Sequence, residues 1–236
     1  MYHFEYVTKK ELAPIRAALE NLIHIVQDDI RDEFTFQYKF IGSSKRNMVT
    51  YDHKSNVGFD FDINIEINDE EEIYSPDEIK HILMNSFDKS IKRMNNIHTT
   101  PFINIVHSYR NINRNYDYCE DSTRVFTIKV KDREHSKILY SCDFAVVHNY
   151  GHNQQEYIKF NKQENEYVWE NQPKGFYKLP DKIDFCKNNS SLWNKVREIY
   201  LNKKNTNCDK NKKSRSLFAE TVNEVCRQNG YYKKEE

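Results

Sequence analysis

From Phe59 to Ile67 the chain alternates without a break: Phe59, Phe61, Ile63, Ile65 and Ile67 are apolar, and Asp60, Asp62, Asn64 and Glu66 between them are polar. A period of two is the signature of a β-strand with one covered face. The segment therefore demands a sheet with something apolar packed on one side, and it presents carboxylates at a spacing of two on the other. Side-by-side carboxylates repel and raise each other's pKa unless a cation lies between them. Glu66 and Asn64 share that face, where surface or rim positions suit them.

The residues before this strand sharpen the reading. An apolar run ends in Phe40-Ile41-Gly42-Ser43-Ser44, followed by Lys45 and Arg46. Gly42 allows backbone to approach a ligand closely, and Ser43 and Ser44 supply hydroxyls and N–H groups where a helix begins, an arrangement suited to phosphate. A third acid, Asp143, stands in Leu139-Tyr140-Ser141-Cys142-Asp143-Phe144-Ala145-Val146-Val147. An acid inside an apolar strand is expensive to bury without a partner. Carboxylates are the ligands Mg²⁺ prefers, completed by water and phosphates. Plainer readings stand beside this one: Asp60 and Asp62 as a solvated strand face, and Asp143 as a salt-bridged strand acid.

An apolar residue, Gly-Ser, a spacer, Asp-x-Asp and a distant apolar-Asp-apolar strand together resemble the DNA polymerase β-type nucleotidyltransferase superfamily. The layout looks most like the branch of oligoadenylate synthases, poly(A) polymerases and cyclic-dinucleotide synthases. The resemblance covers residues from about 8 to 148. It implies Gly42, Ser43 and Ser44 at a triphosphate, Asp60 and Asp62 on two Mg²⁺ (or Mn²⁺) ions, and Asp143 on the catalytic one. The family's C-terminal helical lobe has a Lys and a Ser at the triphosphate, positions that Lys195 and Ser214 or Ser216 match by order. The spacer from Gly42 to Asp60 is long for the superfamily. The implied activity is transfer of a nucleoside monophosphate from an NTP to an acceptor hydroxyl, whether of a nucleotide (giving a linear or cyclic signal), an RNA end, a small molecule or a protein. A toxin-like transferase acting on tRNA or protein is an alternative within enzymes. A catalytically idle module that binds nucleotide or a partner protein is the alternative outside them.

Thirty-six basic and 36 acidic side chains balance to a net charge of zero, which argues against a protein that grips duplex DNA by charge. The N-terminus lacks a signal-peptide pattern, and no apolar run reaches membrane-spanning length, so a cytoplasmic protein without membrane contact is expected. Five widely spaced cysteines without a C-x-x-C read as free thiols in a reducing compartment. His148 and His152 stand four apart at what reads as a strand end, a poor context for zinc. The basic run Lys210-Asn211-Lys212-Lys213 reads as a solvated loop. Asn111 to Tyr118 reads as a polar surface loop, or one that stacks a base. Asp69 to Glu72 reads as a solvated acidic loop before a helix.

The periodicity predicts helices and strands in an α+β order, and the resemblance implies a nucleotidyltransferase fold: a mixed, mainly antiparallel sheet backed by helices, with a small C-terminal helical lobe. A helix carries Leu12, Ile15, Leu19, Leu22, Ile23, Val26 and Ile30, with Thr8 and Glu11 positioned to cap it and Pro14 in its early turns. Strands are expected at Phe34–Ile41, Phe102–Tyr109, Arg124–Lys131 and Lys137–His148. Ser75-Pro76-Asp77-Glu78 opens a second helix with a capping box. Glu156–Phe160 and Tyr167–Glu170 form a hairpin, Leu179-Pro180 marks a turn, and helices follow at Leu192–Leu201 and Leu217–Val225, separated by a loop from Asn202 to Arg215. The expected division is a catalytic core over 1–150 and a hairpin with a helical lobe, packed on the core, over 151–236.

Overall fold

Apolar alternation dictates the architecture. The structure, a computed structural model, describes residues 2–52, 54, 58–69, 71–96, 114–132, 137–150, 155–172, 178–209 and 211–231. The chain divides into two units. A sheet unit comprises Tyr6–Tyr51 and Ser55–Gln172; a helical unit comprises Met1–Glu5, Asp52–Lys54 and Pro173–Glu236. The boundary runs through two short strands, β1 (Phe4–Tyr6) and β3 (Thr50–Asp52).

The sheet unit is built on β4 (Phe59–Asn68) and β8 (Lys137–Asn149), which run parallel. On the other side of β4 lies antiparallel β2 (Thr35–Ile41). The first half of β8 pairs with antiparallel β7 (Phe126–Asp132), and its last residues pair with β9 (Gln155–Asn161). β9 continues into β10 (Glu166–Asn171), the expected hairpin, which thus extends the sheet. β5 (Arg114–Tyr116) and β6 (Glu120–Asp121) add to the free side of β7. Only the β4–β8 pairing is parallel among these, so the sheet is mixed and mainly antiparallel.

Two helices cover one face of it. α1 (Lys9–Asp29) buries Leu19, Leu22, Ile23 and Val26, and α3 (Pro76–Asn96) buries Ile79, Leu83, Phe87 and Ile91. They share one core with Phe61, Ile63, Ile65 and Ile67 of β4 and with Cys142, Phe144 and Val146 of β8. Phe87 lies 4.7 Å from Phe144 and 5.3 Å from Phe126 between ring centroids, a cluster joining α3 to two strands. Each fully buried side chain of this size contributes roughly 1.5–3 kcal/mol. Both helices start with a capping box. Thr8 Oγ1 accepts from Glu11 N at 3.2 Å while Glu11 accepts from Thr8 N at 2.9 Å, and Ser75 and Glu78 do the same at 3.3 and 2.8 Å. Pro14 lies inside α1 without ending it.

In the helical unit, α4 (Leu179–Lys187), α5 (Ser190–Thr206) and α6 (Ser214–Gln228) bury Cys186, Val196, Tyr200, Leu217, Phe218, Val222 and Val225. Asn205 of α5 fastens the N-terminal strand through both faces of its amide: Phe4 N donates to Oδ1 at 2.6 Å, and Nδ2 donates to Phe4 O at 3.1 Å. The cysteines Cys119, Cys142, Cys186, Cys208 and Cys226 are free thiols. Among the described residues no helix is long and apolar enough to cross a membrane.

Several expectations change. Leu179-Pro180, read as a turn, opens α4, because proline suits the first positions of a helix. The loop expected from Asn202 is shorter, since α5 continues to Thr206. Arg114–Tyr116, within the expected polar loop, is a strand paired with β7. The expected strand Phe102–Tyr109, the first residues of that loop, His152 and Lys210 lie outside the described residues.

Candidate active site

The site forms where β2, β4, β7 and β8 present their polar residues on the face turned away from α1 and α3. The odd-numbered residues of β4 enter the core, so Asp60 and Asp62 point to the opposite side. In the parallel register Asp62 stands beside Asp143, and Asp60 beside Ser141. Neighbouring residues in register share a face, so all three acids lie on one face of two adjacent strands. Ile41, the last residue of β2, pairs with Asp62, which brings the start of α2 (Gly42–Lys45) against that carboxylate.

Gly42 has φ +60°, in the left-handed region open mainly to glycine. A Cβ on Gly42 would lie 2.2 Å from Asp62 Oδ2. The glycine therefore meets two demands, the turn from strand to helix and the close approach of a carboxylate. Ser43 is half-buried beside it. Ser44 is buried, and its hydroxyl donates to Ile41 O at 2.9 Å, closing the turn.

The electrostatics follow from crowding. Burial and the neighbouring charges of Asp143 and Asp60 push the Asp62 carboxyl up to about 6, while Arg46 pulls the other way. Asp143 is likewise raised, first by burial and also by Asp60, against a hydrogen bond from Thr127 and the charge of Lys129. Thr127 Oγ1 donates to Asp143 Oδ1 at 2.6 Å, directly across the β7–β8 ladder. Ser141 Oγ donates to Asp60 Oδ1. Two of the acids are thus each held by a hydroxyl from a neighbouring strand. Among the described residues no group of three or more His, Cys, Asp or Glu side chains is drawn together closely enough to form a metal cluster.

Gly42, Ser43, Ser44, Asp60, Asp62 and Asp143 all belong to the sheet unit. Lys195 lies exposed on α5 of the helical unit, with Ser214 and Ser216 in the first turn of α6. Thr127 and Ser141 were not singled out in the sequence. Thr127 lies on a strand of alternating burial, but its register against Asp143 depends on a pairing that one sequence does not reveal. Ser141 precedes Asp143 by two, and that spacing was the available signal.

This architecture is α+β, a mixed and mainly antiparallel sheet backed by helices with a C-terminal group of helices. No family model and no curated protein sequence matches the chain. Among solved structures, the 3′-deoxy-ATP-bound form of DncV from Vibrio cholerae is similar, with a TM-score of 0.51 and 15% sequence identity over 93% of this chain and 53% of that one. The V. cholerae di-nucleotide cyclase DncV in complex with GTP and 5MTHFGLU2 has a TM-score of 0.49 and 14% identity, over 90% of this chain and 54% of that one. The 3′-deoxy-GTP-bound DncV of Escherichia coli has 0.47 and 16%, over 94% and 54%. This chain spans about half the length of these structures, and at 15% identity the likeness to the first is one of fold.

Proposed function

We propose that the protein is a metal-dependent nucleotidyltransferase that moves a nucleoside monophosphate from an NTP to an acceptor hydroxyl, of a nucleotide, an RNA end, a small molecule or a protein, and releases pyrophosphate. The observation that carries this reading is the placement of Asp62 and Asp143 side by side in register, with Asp60 on the same face and Gly42 against Asp62. Burial and neighbouring acids raise Asp62 and Asp143, a poor structural device, and carboxylate oxygens are the donors that Mg²⁺ or Mn²⁺ would take here.

Asp60 and Asp62 would hold the cation that accompanies the triphosphate, and Asp143 would join them at the acceptor side. A bound divalent cation supplies charge neutralisation on the transferring phosphate. Gly42 and Ser43 would bring backbone N–H groups to the phosphates, with Arg46 adding charge that favours both the anion and ionised Asp62. Thr127 donates to Asp143 Oδ1 and orients the carboxylate, and Oδ2 would accept the hydrogen bond, and then the proton, of the attacking hydroxyl. Lys195 and Ser214 or Ser216, which match the family's Lys and Ser by order, are proposed as triphosphate residues.

The idle-module reading is favoured by one observation, the lack of a formed cluster of metal-ligating side chains among the described residues. Incubation with each labelled NTP and either metal, followed by chromatography, separates the two. A new nucleotide product with stoichiometric pyrophosphate supports the transferase. Tight NTP binding with no pyrophosphate from any nucleotide, RNA or protein acceptor supports the idle module.

A further inference from the structure

A second site lies at the other end of the two central strands. Ile67 lies near the end of β4, His148 near the end of β8 and Tyr150 just after it, each five or more residues beyond Asp62 or Asp143, roughly 17 Å away at strand spacing. There the sheet unit has a pocket of about 410 Å³, floored by Ile67 and Ile79. Four aromatic rings line it: Tyr74, His148, Tyr150 and Trp169. His148 lies 4.2 Å from Tyr150 and 5.9 Å from Trp169 between ring centroids, so three of them form one group. Among the described residues the same lining has three carboxylates, Asp69, Glu72 and Glu78, and neither lysine nor arginine.

We propose that this pocket binds a small organic cation, an ammonium or guanidinium compound. Aromatic faces attract a cation within about 6 Å of the ring centroid through the negative face of the π system, and the carboxylates add charge and acceptors. Asp69 takes Ile73 N at 3.1 Å on Oδ1 and Tyr74 N at 3.0 Å on Oδ2, and Glu78 takes Ser75 N at 2.8 Å on Oε2. An ionised carboxylate has about four acceptor sites, so both retain capacity. The N-terminus of α3 also borders the pocket and carries about half a positive charge, but three carboxylates outweigh it, and the Ser75–Glu78 capping box already answers its first amides. A phosphate or carboxylate ligand would meet net repulsion. A neutral apolar ligand would leave the carboxylates with less solvent and no new partner in its place. Tyr150, 46% exposed, and Ile73, 65% exposed, stand at the rim, where a ligand would cover them.

The test is calorimetric titration of the full chain with choline and with agmatine, at constant ionic strength and above the histidine titration range. The uncharged carbon counterpart of choline, 3,3-dimethyl-1-butanol, is the control. The expected result is saturable binding of at least one cation, with the neutral counterpart about tenfold or more weaker. Tyr150→Leu keeps apolar bulk but removes the ring, and Glu72→Gln removes one charge; both positions are exposed, so the fold is retained. Each should weaken the cation about threefold to tenfold. Asp62→Asn, on the remote acidic face, should leave this binding unchanged. Equal binding of choline and its neutral counterpart, failure of both cations to saturate, or loss of binding in Asp62→Asn would each overturn the proposal.

Discussion

Asp62 is crowded by burial and by the charges of Asp143 and Asp60. Its carboxyl titrates at about 6 in the folded state against 3.8 for an ordinary aspartate. Because the folded value is the higher one, the stabilisation from protonated Asp62 is complete below about pH 4 and is lost as pH rises through about 6. Two pH units correspond to about 3 kcal/mol. Asp62→Asn is therefore expected to raise the melting temperature of the metal-free protein at neutral pH and to give no gain below pH 4, while it abolishes metal binding. A thermal series across that pH range, with no divalent cation present, checks the sign. Thr127 acts on Asp143 in the opposite direction, since its hydrogen bond lowers a pKa that burial raises. Thr127→Val preserves shape and removes the donor. The acidic limb of the pH–rate profile should then move to higher pH, a shift that a purely structural threonine would not produce.

At the scale of elements, the acids are presented by strands whose other faces are locked into the core. Phe144 precedes Ala145 and follows Asp143 on β8, is fully buried, and has Phe126 at 5.0 Å and Phe87 at 4.7 Å. Phe144→Ala should destabilise the protein by about 3–5 kcal/mol, measured by urea unfolding, through lost burial and the cavity left behind. The same strands were the legible part of the sequence. Unbroken alternation in Phe59–Ile67 announces which side of β4 is covered, and Thr8, Glu11, Ser75 and Glu78 spell out both helix starts. What stayed hidden is what depends on pairing or on weak local signals. β1 is only three residues long. β5 is polar and is ordered by β7 rather than by its own pattern. Pro180 looks like a turn residue until the helix after it is known. The face shared by Asp62 and Asp143 could be expected, but their parallel register, and the threonine that faces Asp143 across the next strand, are properties of the assembled sheet.

For the whole molecule, an NTP with Mg²⁺ that binds only the folded state should raise the melting temperature by mass action, with the shift growing as ligand concentration rises above Kd. Gly42→Asp should remove most of that shift. The new side chain would meet Asp62 at once, would strain a backbone at φ +60°, and would repel phosphate. The most direct measurement of the transferase account is a paired assay of Asp143→Asn for NTP binding and for pyrophosphate release, beside an active wild type. The account predicts nearly normal NTP binding and a loss of product formation on the order of a hundredfold or more, the size of losing a major electrostatic contribution to the transition state. An Asp143→Asn protein as active as wild type would contradict it and leave Asp143 a structural acid held by Thr127.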